Sequence, residues 1–429
     1  MPQTAADTRF NPVFAREPRT VTRPPRETAP VQTVLLAAGQ GTRMRPLTDD
    51  RPKPTLPVAG EPMVARTART AAAAGASRFV VVVGYRAEAV RDALGDEIAG
   101  VPVTYVEQPD QRGTADAVRV ATPALDDAPF AVLNGDTLCD EPSLARLFDG
   151  GPAVGSHRVD DPTQYGVLQT SDDGETDTPR VTGVVEKPAE PPSNLINTGA
   201  YVFPARARDW LDVSESERGE AELTDVLERV ADAETVRAVP FDRWLDVGRP
   251  WELLEANEWF LSELDRQVAD DATVHADADL RGDVVVKDGA EIDAGVVIEG
   301  PALIAAGASV GPNAYVRGAT YVGRDAKVGH SVEVKNSLLF RGATVGHLSY
   351  VGDSVLGREV NFGAGTTVAN LRHDDAAVET TVKGQPVSTG RRKFGVVCGD
   401  GVKTGIQTSL NAGCVLDSDE TTIPGQRVL

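Results

Sequence analysis

Residues 286–316 read VKDGAEIDAGVVIEGPALIAAGASVGPNAYV, and an aliphatic residue returns at every sixth position of this stretch. Glycine and other small residues crowd the positions between. The spacing extends in both directions and comprises Val274, Leu280, Val286, Ile292, Ile298, Ile304, Val310, Val316, Val322, Val328, Val334 and Phe340. A six-residue period with one inward aliphatic side chain per short strand is typical of a β-helix. The sequence therefore predicts a β-helix in the second half of the chain.

The repeat shifts in phase and is then interrupted. The spacing slips by one residue near Val345 and again before Leu356. It is lost between Asn370 and Lys393, where we expect an extended loop. It then returns at Val396, Val402, Thr408 and Cys414.

The first half of the chain has a different pattern, in which apolar runs alternate with helical segments. The runs lie at 34–37, 79–83, 104–106 and 130–133, and helical spacing is found at 63–74, 223–230 and 251–264. Continuous apolar strands separated by helices predict a parallel sheet covered on both faces, with ligands at the carboxyl ends of the strands. We therefore expect an α/β domain at 31–265, followed by the β-helix at 266–429.

The composition is that of a folded protein with an acidic surface. The 429 residues suggest two or three domains, and the formal net charge is −21. Such a surface repels phosphate, so nucleic acid is not expected as a partner. The acidic residues are spread along the chain, which favours a solvated surface suited to very high salt over an acidic binding tail.

Neither a membrane segment nor a secretion signal is expected from the sequence. No apolar run approaches the length that crosses a bilayer. Residues 1–30 carry Arg and Pro without an apolar segment, which predicts a disordered extension. The three cysteines, Cys139, Cys398 and Cys414, are well separated and predict no disulfide framework, which fits a reducing cytoplasm.

A glycine-rich segment follows the first predicted strand. Residues 36–48 read LAAGQGTRMRPLT, and residues 51–54 read RPKP. Glycine lets backbone N–H groups approach a phosphate, and arginine offers a planar fork for its oxygens. The spacing fits neither the P-loop nor the dinucleotide-binding pattern. Because the chain has only eight Lys against thirty-five Arg, a Lys kept in such a motif indicates a role.

The whole string resembles the signature of the sugar nucleotidyltransferase family, which includes glucose-1-phosphate thymidylyltransferases and uridylyltransferases. Other motifs of that family follow in the same order across most of residues 31–260. They are Glu107-Gln108, Gly113-Thr114-Ala115, Asn134-Gly135-Asp136, Tyr165-Gly166-Val167, Val185-Glu186-Lys187-Pro188, Asn197-Thr198-Gly199-Ala200-Tyr201 and Trp244-Leu245-Asp246-Val247-Gly248. The resemblance implies a Rossmann-like domain that joins a nucleoside monophosphate, taken from a nucleoside triphosphate, to a sugar 1-phosphate.

The resemblance also implies roles for the charged residues. Asp136 and Asp246 would hold Mg²⁺ between the nucleotide and sugar phosphates, and carboxylates at a strand end suit this hard cation. Arg43 would stabilise the departing pyrophosphate, Lys53 would lie near the α-phosphate, and Lys187 would bind the phosphate of the sugar. The sugar phosphate is already a nucleophile, so no general base is expected.

The remaining motif residues are expected to form the base and sugar pockets. Gln108 and Gly113 would contact the base edge, which favours a uracil or thymine nucleotide and therefore UTP or dTTP. The nucleotide-binding set implied by the resemblance is Leu36, Ala37, Ala38, Gly39, Gln108, Gly113 and Thr114. The sugar-binding set is Gly166, Glu186 and Asn197, of which Gly166 equally fits a simple turn.

The repeat region resembles the left-handed β-helix of hexapeptide acyltransferases. Residues 346–353, GHLSYVGD, and 361–366, NFGAGT, match a motif pair in the acetyltransferase domain of bifunctional N-acetylglucosamine-1-phosphate uridyltransferases. The resemblance implies transfer of acetyl from acetyl-CoA to the amine of glucosamine 1-phosphate. That amine is mostly protonated at neutral pH, so a base is needed, and histidine suits the task.

His347 would be that base, because motif residues accompany it in the family's order. Arg317 and Lys335 would bind the sugar phosphate. The sugar would be positioned by Tyr350, Asn361 and Asn370, and acetyl-CoA would meet Ala364 and Lys393. In this family the acetyl site forms between the β-helices of a trimer, so a homotrimer is expected.

Some positions depart from the bacterial pattern. Leu371 stands where the bacterial enzymes have an aromatic residue, whereas residues 389–393 and 401–405 resemble archaeal bifunctional relatives. Three functions therefore stay open: a bifunctional enzyme, a glucose-1-phosphate uridylyl- or thymidylyltransferase whose β-helix only assembles or regulates it, and a non-catalytic regulatory subunit. The last ranks lowest because Asp136 and Asp246 are both present.

Overall fold

The computed structural model describes residues 31–171, 178–216 and 219–429. The extension predicted at 1–30 lies outside the described residues. In the described part of the first half, six α-helices lie between groups of strands. The strands are β1 Val31–Ala37, β2 Pro57–Val58, β3 Glu61–Pro62, β4 Ala76–Val83, β5 Glu97–Ile98, β6 Val101–Glu107, β7 Phe130–Asn134, β8 Thr137–Cys139, β9 Ala153–Arg158, β10 Gly166–Ser171, β11 Arg180–Glu186, β12 Leu195–Phe203, β13 Arg237–Pro240 and β14 Trp244–Asp246. The helices are α1 Met63–Ala73, α2 Ala87–Leu94, α3 Thr114–Ala121, α4 Glu141–Phe148, α5 Leu223–Ala233 and α6 Pro250–Leu261.

Ten of the described strands form one sheet, in the order β10-β11-β13-β9-β12-β7-β1-β4-β6-β5. Its centre is parallel, as the apolar runs predict: Val34 of β1 pairs with Val80 of β4 and with Val132 of β7. The outer part differs, because β12 runs antiparallel to β7 and to β9. The sheet is therefore mixed rather than wholly parallel.

Separate hydrophobic clusters cover the two faces of this sheet. One contains Leu35 and Val81 of the sheet together with Ala68 of α1 and Leu144 of α4. The other contains Val34 and Val80 together with side chains of α3 and α5. Helices on both faces explain why the central strands read as unbroken apolar runs.

The second half is a parallel β-helix. Before the extended loop, each strand pairs in parallel with the strand three places later in the chain, as Ile292 does with Val310, so three short strands make one coil. The first sheet holds Gln267–Val268, Val284–Val286, Ala302–Ile304, Thr320–Val322, Leu338–Leu339, Val355–Leu356, Val397–Cys398 and Val415–Leu416. The second holds Thr273–Val274, Glu291–Ile292, Ser309–Val310, Lys327–Val328, Thr344–Val345, Asn361–Phe362 and Lys403–Thr404. The third holds Asp279–Arg281, Val297–Glu299, Tyr315–Arg317, Glu333–Lys335, Tyr350–Gly352, Thr367–Val368, Ser409–Leu410 and Arg427–Val428.

The period of six is confirmed, but its predicted phase is wrong at two places. Leu339, not Phe340, pairs with Val322 and enters the core of the β-helix. After the loop, Cys398 pairs with Leu356 and Leu410 pairs with Val368, so the strand positions lie two residues beyond those predicted at Val396 and Thr408. The residue two places before most inward strand positions is also buried, as Ala290 is before Ile292. The sequence therefore contains two apolar series, and the series predicted after the loop is the one that precedes the strand positions by two residues.

The extended loop predicted between Asn370 and Lys393 is present and contains a small antiparallel hairpin. Glu379–Val382 pairs with Gln385–Ser388. At the base of the loop, Leu371 and Lys393 form an isolated antiparallel bridge.

The two halves share a hydrophobic core. It combines Met44 and Leu254 of the first half with Leu303, Phe340 and Phe394 of the second. Asn257 of α6 lies fully buried within this contact, where it accepts from the Ala59 N–H at 3.1 Å and donates to the Ala319 carbonyl at 2.9 Å. Helix α6 ends at Leu261, and the first strand of the β-helix begins at Gln267.

Candidate active sites

A cavity of about 570 Å³ opens where strands of the large sheet and of the small sheet formed by β8 and β14 end. Asn134 ends β7, Glu186 ends β11 and Asp246 ends β14, and all three line the cavity. Seven residues predicted from the sequence lie on its wall: Arg43, Thr114, Gly166, Glu186, Lys187, Asn197 and Asp246. The first half therefore places predicted phosphate, sugar and metal residues around one cavity.

Lys53, Asp136 and Asp246 form the charged centre of this site. The antiparallel pairing of β8 with β14 sets Asp246 against Thr137, next to Asp136. The Lys53 Nζ lies 2.6 Å from the Asp136 Oδ2 and 3.9 Å from the Asp246 Oδ1. Both carboxylates therefore converge on one cation.

Burial and the two neighbouring carboxylates shift the pKa of Lys53 in opposite directions. Burial disfavours the charged amine, but Asp136 and Asp246 outweigh it, so the pKa of Lys53 is raised. The pKa of Asp246 is also raised, first by burial and then by the repulsion of Asp136, against the attraction of Lys53. The centre therefore keeps a lysine ammonium and disfavours two free negative charges.

The donor set fits Mg²⁺. Within the described residues no group of three or more His, Cys, Asp and Glu could hold a metal. Two carboxylates that converge on one cation are nevertheless what Mg²⁺ uses when substrate phosphates and water supply its other ligands. Asp136 and Asp246 would be the protein ligands.

The glycine-rich segment packs directly against Lys53. Gly41 has a φ of 68°, and a Cβ there would lie 2.5 Å from the Cβ of Lys53. Any other residue at 41 would push the segment off the lysine. The Thr48 hydroxyl donates to the Gly41 carbonyl at 2.9 Å and closes the loop, while the Gly135 N–H donates to the Leu36 carbonyl at 2.9 Å.

The predicted base-edge residues are held by their own contacts. The Gln108 side-chain amide donates to Asp116 Oδ2 at 2.8 Å and to the Gly113 carbonyl at 3.3 Å. The Thr114 hydroxyl accepts from the Leu223 N–H at 3.0 Å, which ties α3 to α5. The orientation of Gln108 is therefore set by Asp116, a residue outside the predicted sets.

On the sugar side, the backbones of Gly166 and Glu186 pair across β10 and β11. A Cβ at Gly166 would lie 3.0 Å from the Glu186 Oε2, so the glycine makes room for that carboxylate. The Lys187 Nζ lies 3.1 Å from Glu186 Oε1. The Asn197 amide donates to the Tyr201 hydroxyl at 2.6 Å and its oxygen accepts from the Gly199 N–H at 2.9 Å.

Tyr165, Trp244, Arg249 and Glu252 also line the cavity, and sequence reasoning gave none of them a role. Burial first, and the charge of Asp246 second, raise the pKa of Glu252 to about 7. The Gly248 N–H donates to the Glu252 Oε2 at 2.7 Å. Arg249 and Glu252 lie just beyond the motif that ends at Gly248, and that proximity was the available signal.

A second group of predicted residues lies on the third sheet of the β-helix. Arg317 pairs with Lys335 in register, and Tyr350 begins the next strand of that sheet. The Arg317 Nε donates to Glu333 Oε1 at 2.9 Å. The Asn370 Nδ2 lies 3.2 Å from the Tyr350 hydroxyl. Arg317, Lys335, Tyr350 and Asn370 are therefore brought to one face, called here the third-sheet face.

His347 is exposed at the corner that leads from the second sheet to the third-sheet face. The Leu348 N–H donates to the His330 carbonyl and the Gly365 N–H donates to the His347 carbonyl, so His330, His347 and Ala364 succeed one another at this corner. His347 lies three residues before Tyr350 at the edge of that face.

Two predicted residues do not join the third-sheet face. Asn361 is exposed on the second sheet, where it pairs with Thr344 and Lys403. Lys393 is exposed at the base of the extended loop, beside Leu371. Within one chain, therefore, the predicted acetyl-transfer residues are divided between two faces and a loop.

Known protein families match each half of the chain separately. The family described as nucleotidyl transferase matches residues 32–263, and the GMPPB C-terminal domain matches residues 298–423. A solved structure, UDP-glucose pyrophosphorylase complexed with UDP-glucose, aligns with a TM-score of 0.50 at 23% identity over 55% of this chain and all of its own, which is a likeness of fold. The first half is a Rossmann-like nucleotidyltransferase domain, and the protein is an enzyme.

Relatives that span nearly the whole chain are bifunctional. The bifunctional protein GlmU of Methanocaldococcus jannaschii is 36% identical over 91% of this chain and 95% of its own. A bifunctional sugar-1-phosphate nucleotidylyltransferase/acetyltransferase of Sulfurisphaera tokodaii is 34% identical over 92% of this chain and 96% of its own. A UTP–glucose-1-phosphate uridylyltransferase of Haloferax volcanii is 37% identical over only 53% of this chain. The chain belongs to the family of bifunctional sugar-1-phosphate nucleotidylyltransferases/acetyltransferases. Among the described residues, no helix is both long and apolar enough to cross a bilayer.

Proposed function

We propose that this chain catalyses two consecutive reactions. Acetyl-CoA first acetylates glucosamine 1-phosphate, and UTP then reacts with N-acetylglucosamine 1-phosphate to give UDP-N-acetylglucosamine and pyrophosphate. The observation that carries this proposal is the presence of two sets of residues in one chain. One is the Lys53–Asp136–Asp246 centre, and the other is the third-sheet face with His347 at its edge.

In the nucleotidyl transfer, an oxygen of the sugar phosphate attacks the α-phosphorus while the bond to pyrophosphate breaks. The protein positions the two phosphates and offsets their charge. Lys53 contacts the α-phosphate, Lys187 holds the sugar phosphate, and Arg43 meets the leaving pyrophosphate. Asp136 and Asp246 would hold Mg²⁺, which would supply further neutralisation of phosphate charge.

The residues that line this site determine which nucleotide and which sugar it binds. Leu36, Ala37, Ala38 and Gly39 place backbone against the nucleotide, with Gln108, Gly113 and Thr114 beside the base. Gly166, Glu186 and Asn197 line the sugar pocket. UTP is proposed as the donor, with dTTP as the competing nucleotide.

In the acetyl transfer, the amine of the sugar attacks the thioester carbonyl, the carbon–sulfur bond breaks, and the CoA thiolate leaves. His347 takes the proton from the amine. Arg317 and Lys335 bind the phosphate. Tyr350, Asn361 and Asn370 position the sugar, and Ala364 and Lys393 contact acetyl-CoA.

The division of these residues between faces supports a homotrimer of left-handed β-helices. Asn361 points from a different sheet than Tyr350, so a site that uses both is completed by a neighbouring subunit. Leu348, Ile406 and Ile423 expose apolar side chains near His347, where a neighbour would cover them. The domain limits 31–265 and 266–429, the high-salt surface and the cytoplasmic location stay predictions.

A paired assay tests the two activities separately. Pyrophosphate release is measured with UTP or dTTP and with N-acetylglucosamine 1-phosphate or glucose 1-phosphate, and CoA release with acetyl-CoA and glucosamine 1-phosphate. We expect His347→Ala to abolish CoA release and keep pyrophosphate release, and Asp136→Asn to do the reverse. CoA release that is unchanged in His347→Ala contradicts the acetyltransferase assignment. If glucose 1-phosphate is the preferred acceptor and no CoA is released, the chain is a single-activity uridylyltransferase.

A further inference from the structure

A chain of hydrogen bonds joins helix α6 of the nucleotidyltransferase half to the third-sheet face. The Asn336 Nδ2 donates to the Glu258 Oε1 at 2.8 Å and to the Asp353 Oδ1 at 2.9 Å. The other oxygen of Asp353 accepts from the Lys335 Nζ at 2.8 Å and from the Asn370 Nδ2 at 2.5 Å. One carboxylate therefore holds two of the predicted acceptor-site residues and faces the first half of the chain.

Asp353 is a rigid anchor. Its residue is only 3% exposed, and its backbone is fixed on both sides, since its N–H donates to the Lys335 carbonyl and its own carbonyl accepts from the Gly395 N–H. A lysine ammonium sits on a flexible four-carbon stem, so the ion pair with Asp353 fixes the position of the Lys335 ammonium. Asp353 takes one of the three ammonium donors, which leaves two that can meet a phosphate.

The network reaches the first half through Glu258. Arg391 of the extended loop also forms an ion pair with Glu258, so three separate segments meet at this side chain. Helix α6 carries Glu252, which lines the nucleotidyl cavity, near its start and carries Glu258 nearer its end. One helix therefore contacts both candidate sites.

We propose that Asp353 is a positioning residue for the phosphate of the acetyl acceptor, acting through Lys335, and that Glu258 supports it through Asn336. The inference rests on the proposed acetyl transfer. A purely structural role for Asp353 would affect folding and both substrates alike. If Asp353 instead positions Lys335, its substitution changes the KM for the sugar phosphate alone.

The test compares variants of the full chain in the CoA-release assay. Asp353→Asn keeps the shape of the side chain, and asparagine accepts the left-handed backbone found here, with φ at 51°. We expect the KM for glucosamine 1-phosphate to rise on the order of tenfold, because a hydrogen bond to a charged group is lost. The kcat, the KM for acetyl-CoA and the release of pyrophosphate from UTP are expected to change little. Glu258→Gln should shift the same KM by a smaller factor, and Glu263→Gln, beyond the same helix and paired with Arg243, should leave it unchanged.

A double-mutant cycle decides whether Asp353 acts through Lys335. In a Lys335→Met background, Asp353→Asn should cause little further rise in the KM. Two results would overturn the positioning role. One is that Asp353→Asn raises the KM for glucosamine 1-phosphate equally in the wild-type and Lys335→Met backgrounds. The other is that the KM for acetyl-CoA rises together with the KM for glucosamine 1-phosphate. If Asp353→Asn does not fold, the KM for glucosamine 1-phosphate is compared in the same two backgrounds with Glu258→Gln and Asn336→Ala. An inactive wild type would instead refute the proposed acetyl transfer, whereas an active wild type with an unchanged Asp353→Asn variant refutes positioning alone.

Discussion

The ammonium nitrogen of Lys53 lies 2.6 Å from the Asp136 Oδ2 and 3.9 Å from the Asp246 Oδ1. Lys53→Met removes the cation that both carboxylates share and leaves two like charges together in a buried setting. We expect pyrophosphate release to fall by about a hundredfold or more, since the charge near the α-phosphate is lost as well. CoA release in the same sample is the control for folding. A variant that keeps full pyrophosphate release would show that Lys53 has no part in the transfer.

Asp246 is expected to set the Mg²⁺ requirement. Asp246→Asn removes one of two converging anionic ligands, so the Mg²⁺ concentration for half-maximal pyrophosphate release should rise at least ~10-fold. Asp242→Asn is the matched control, because Asp242 makes an exposed ion pair with Arg146. An equal Mg²⁺ dependence in the two variants would contradict the proposed metal site.

The two halves are also tied by a partly buried ion network. The Arg51 guanidinium reaches Asp400 at 2.6 Å, and the Arg358 guanidinium reaches the same carboxylate at 2.6 Å. Burial raises the pKa of Asp400, but the two arginines outweigh it and lower that pKa overall. Asp400→Asn should therefore reduce the free energy of unfolding by about 3 kcal/mol at neutral pH. Denaturant unfolding measures this loss, and Glu263→Gln at an exposed pair should cost less than about 1 kcal/mol.

The sign of the pH dependence follows from the lowered pKa of Asp400. The stabilisation from its charge is fully present above the ordinary value of 3.8 and is lost as the pH falls through the lower value in the folded state. The difference between wild type and Asp400→Asn should therefore persist at pH 6 and shrink only under strongly acidic conditions. A difference that disappears between pH 7 and 5 would contradict a role for this carboxylate.

The central sheet and the β-helix were predictable because their apolar patterns are local and periodic. The phase of the repeat was not, because Val396 and Cys398 are both buried, two residues apart, and either fits a period of six. Phe340 fitted the period as well as Leu339 does, but it packs against the first half beneath Arg51. A single sequence cannot separate a coil core from a domain interface when both are apolar.

Residues of the candidate sites could be predicted only where they belong to sequence motifs. Asp136 and Asp246 lie in motifs, and the fold brings both carboxylates to Lys53 although they are far apart in the chain. Glu252 and Asp353 were given no role, because each acts through contacts that only the fold creates: a backbone N–H of Gly248 for one and a lysine of another coil for the other. No local pattern marks such pairs.

The cysteines should be unreactive in the folded protein. Burial raises the pKa of Cys139 to about 12 and that of Cys414 to about 12, and the pKa of Cys398 is also raised by burial. Since the thiolate is the reactive form, alkylation of Cys139 and Cys414 at pH 8 should be roughly a thousandfold slower than in the unfolded chain. Mass spectrometry after a timed exposure to iodoacetamide measures this, with and without denaturant. Rapid labelling of Cys139 without denaturant would contradict its burial.

The corner beside His347 provides the test of the trimer. Leu348, Ile406 and Ile423 are 68%, 54% and 71% exposed. All three lie along that corner: the coil of Ala364 separates Leu348 from Ile406, and Ile423 lies on the coil after Ile406. An apolar edge of this kind is typical of a surface that a partner covers, and head-to-tail contacts between identical chains close into a ring. Ile406→Asp would bury a charge in that contact, so we expect light scattering to show a trimer for the wild type and a monomer for the variant.

The same variant should lose CoA release, because its acetyl site would lack the neighbour's residues, and should keep pyrophosphate release, whose residues all lie within one chain. Val268→Asp is the control, since Val268 is 40% exposed on the first coil, far along the β-helix from Ile406. A monomeric wild type that releases CoA, or an Ile406→Asp variant that stays trimeric, would contradict the shared site. A trimer that dissociates without any loss of CoA release would instead place the whole acetyl site within one β-helix.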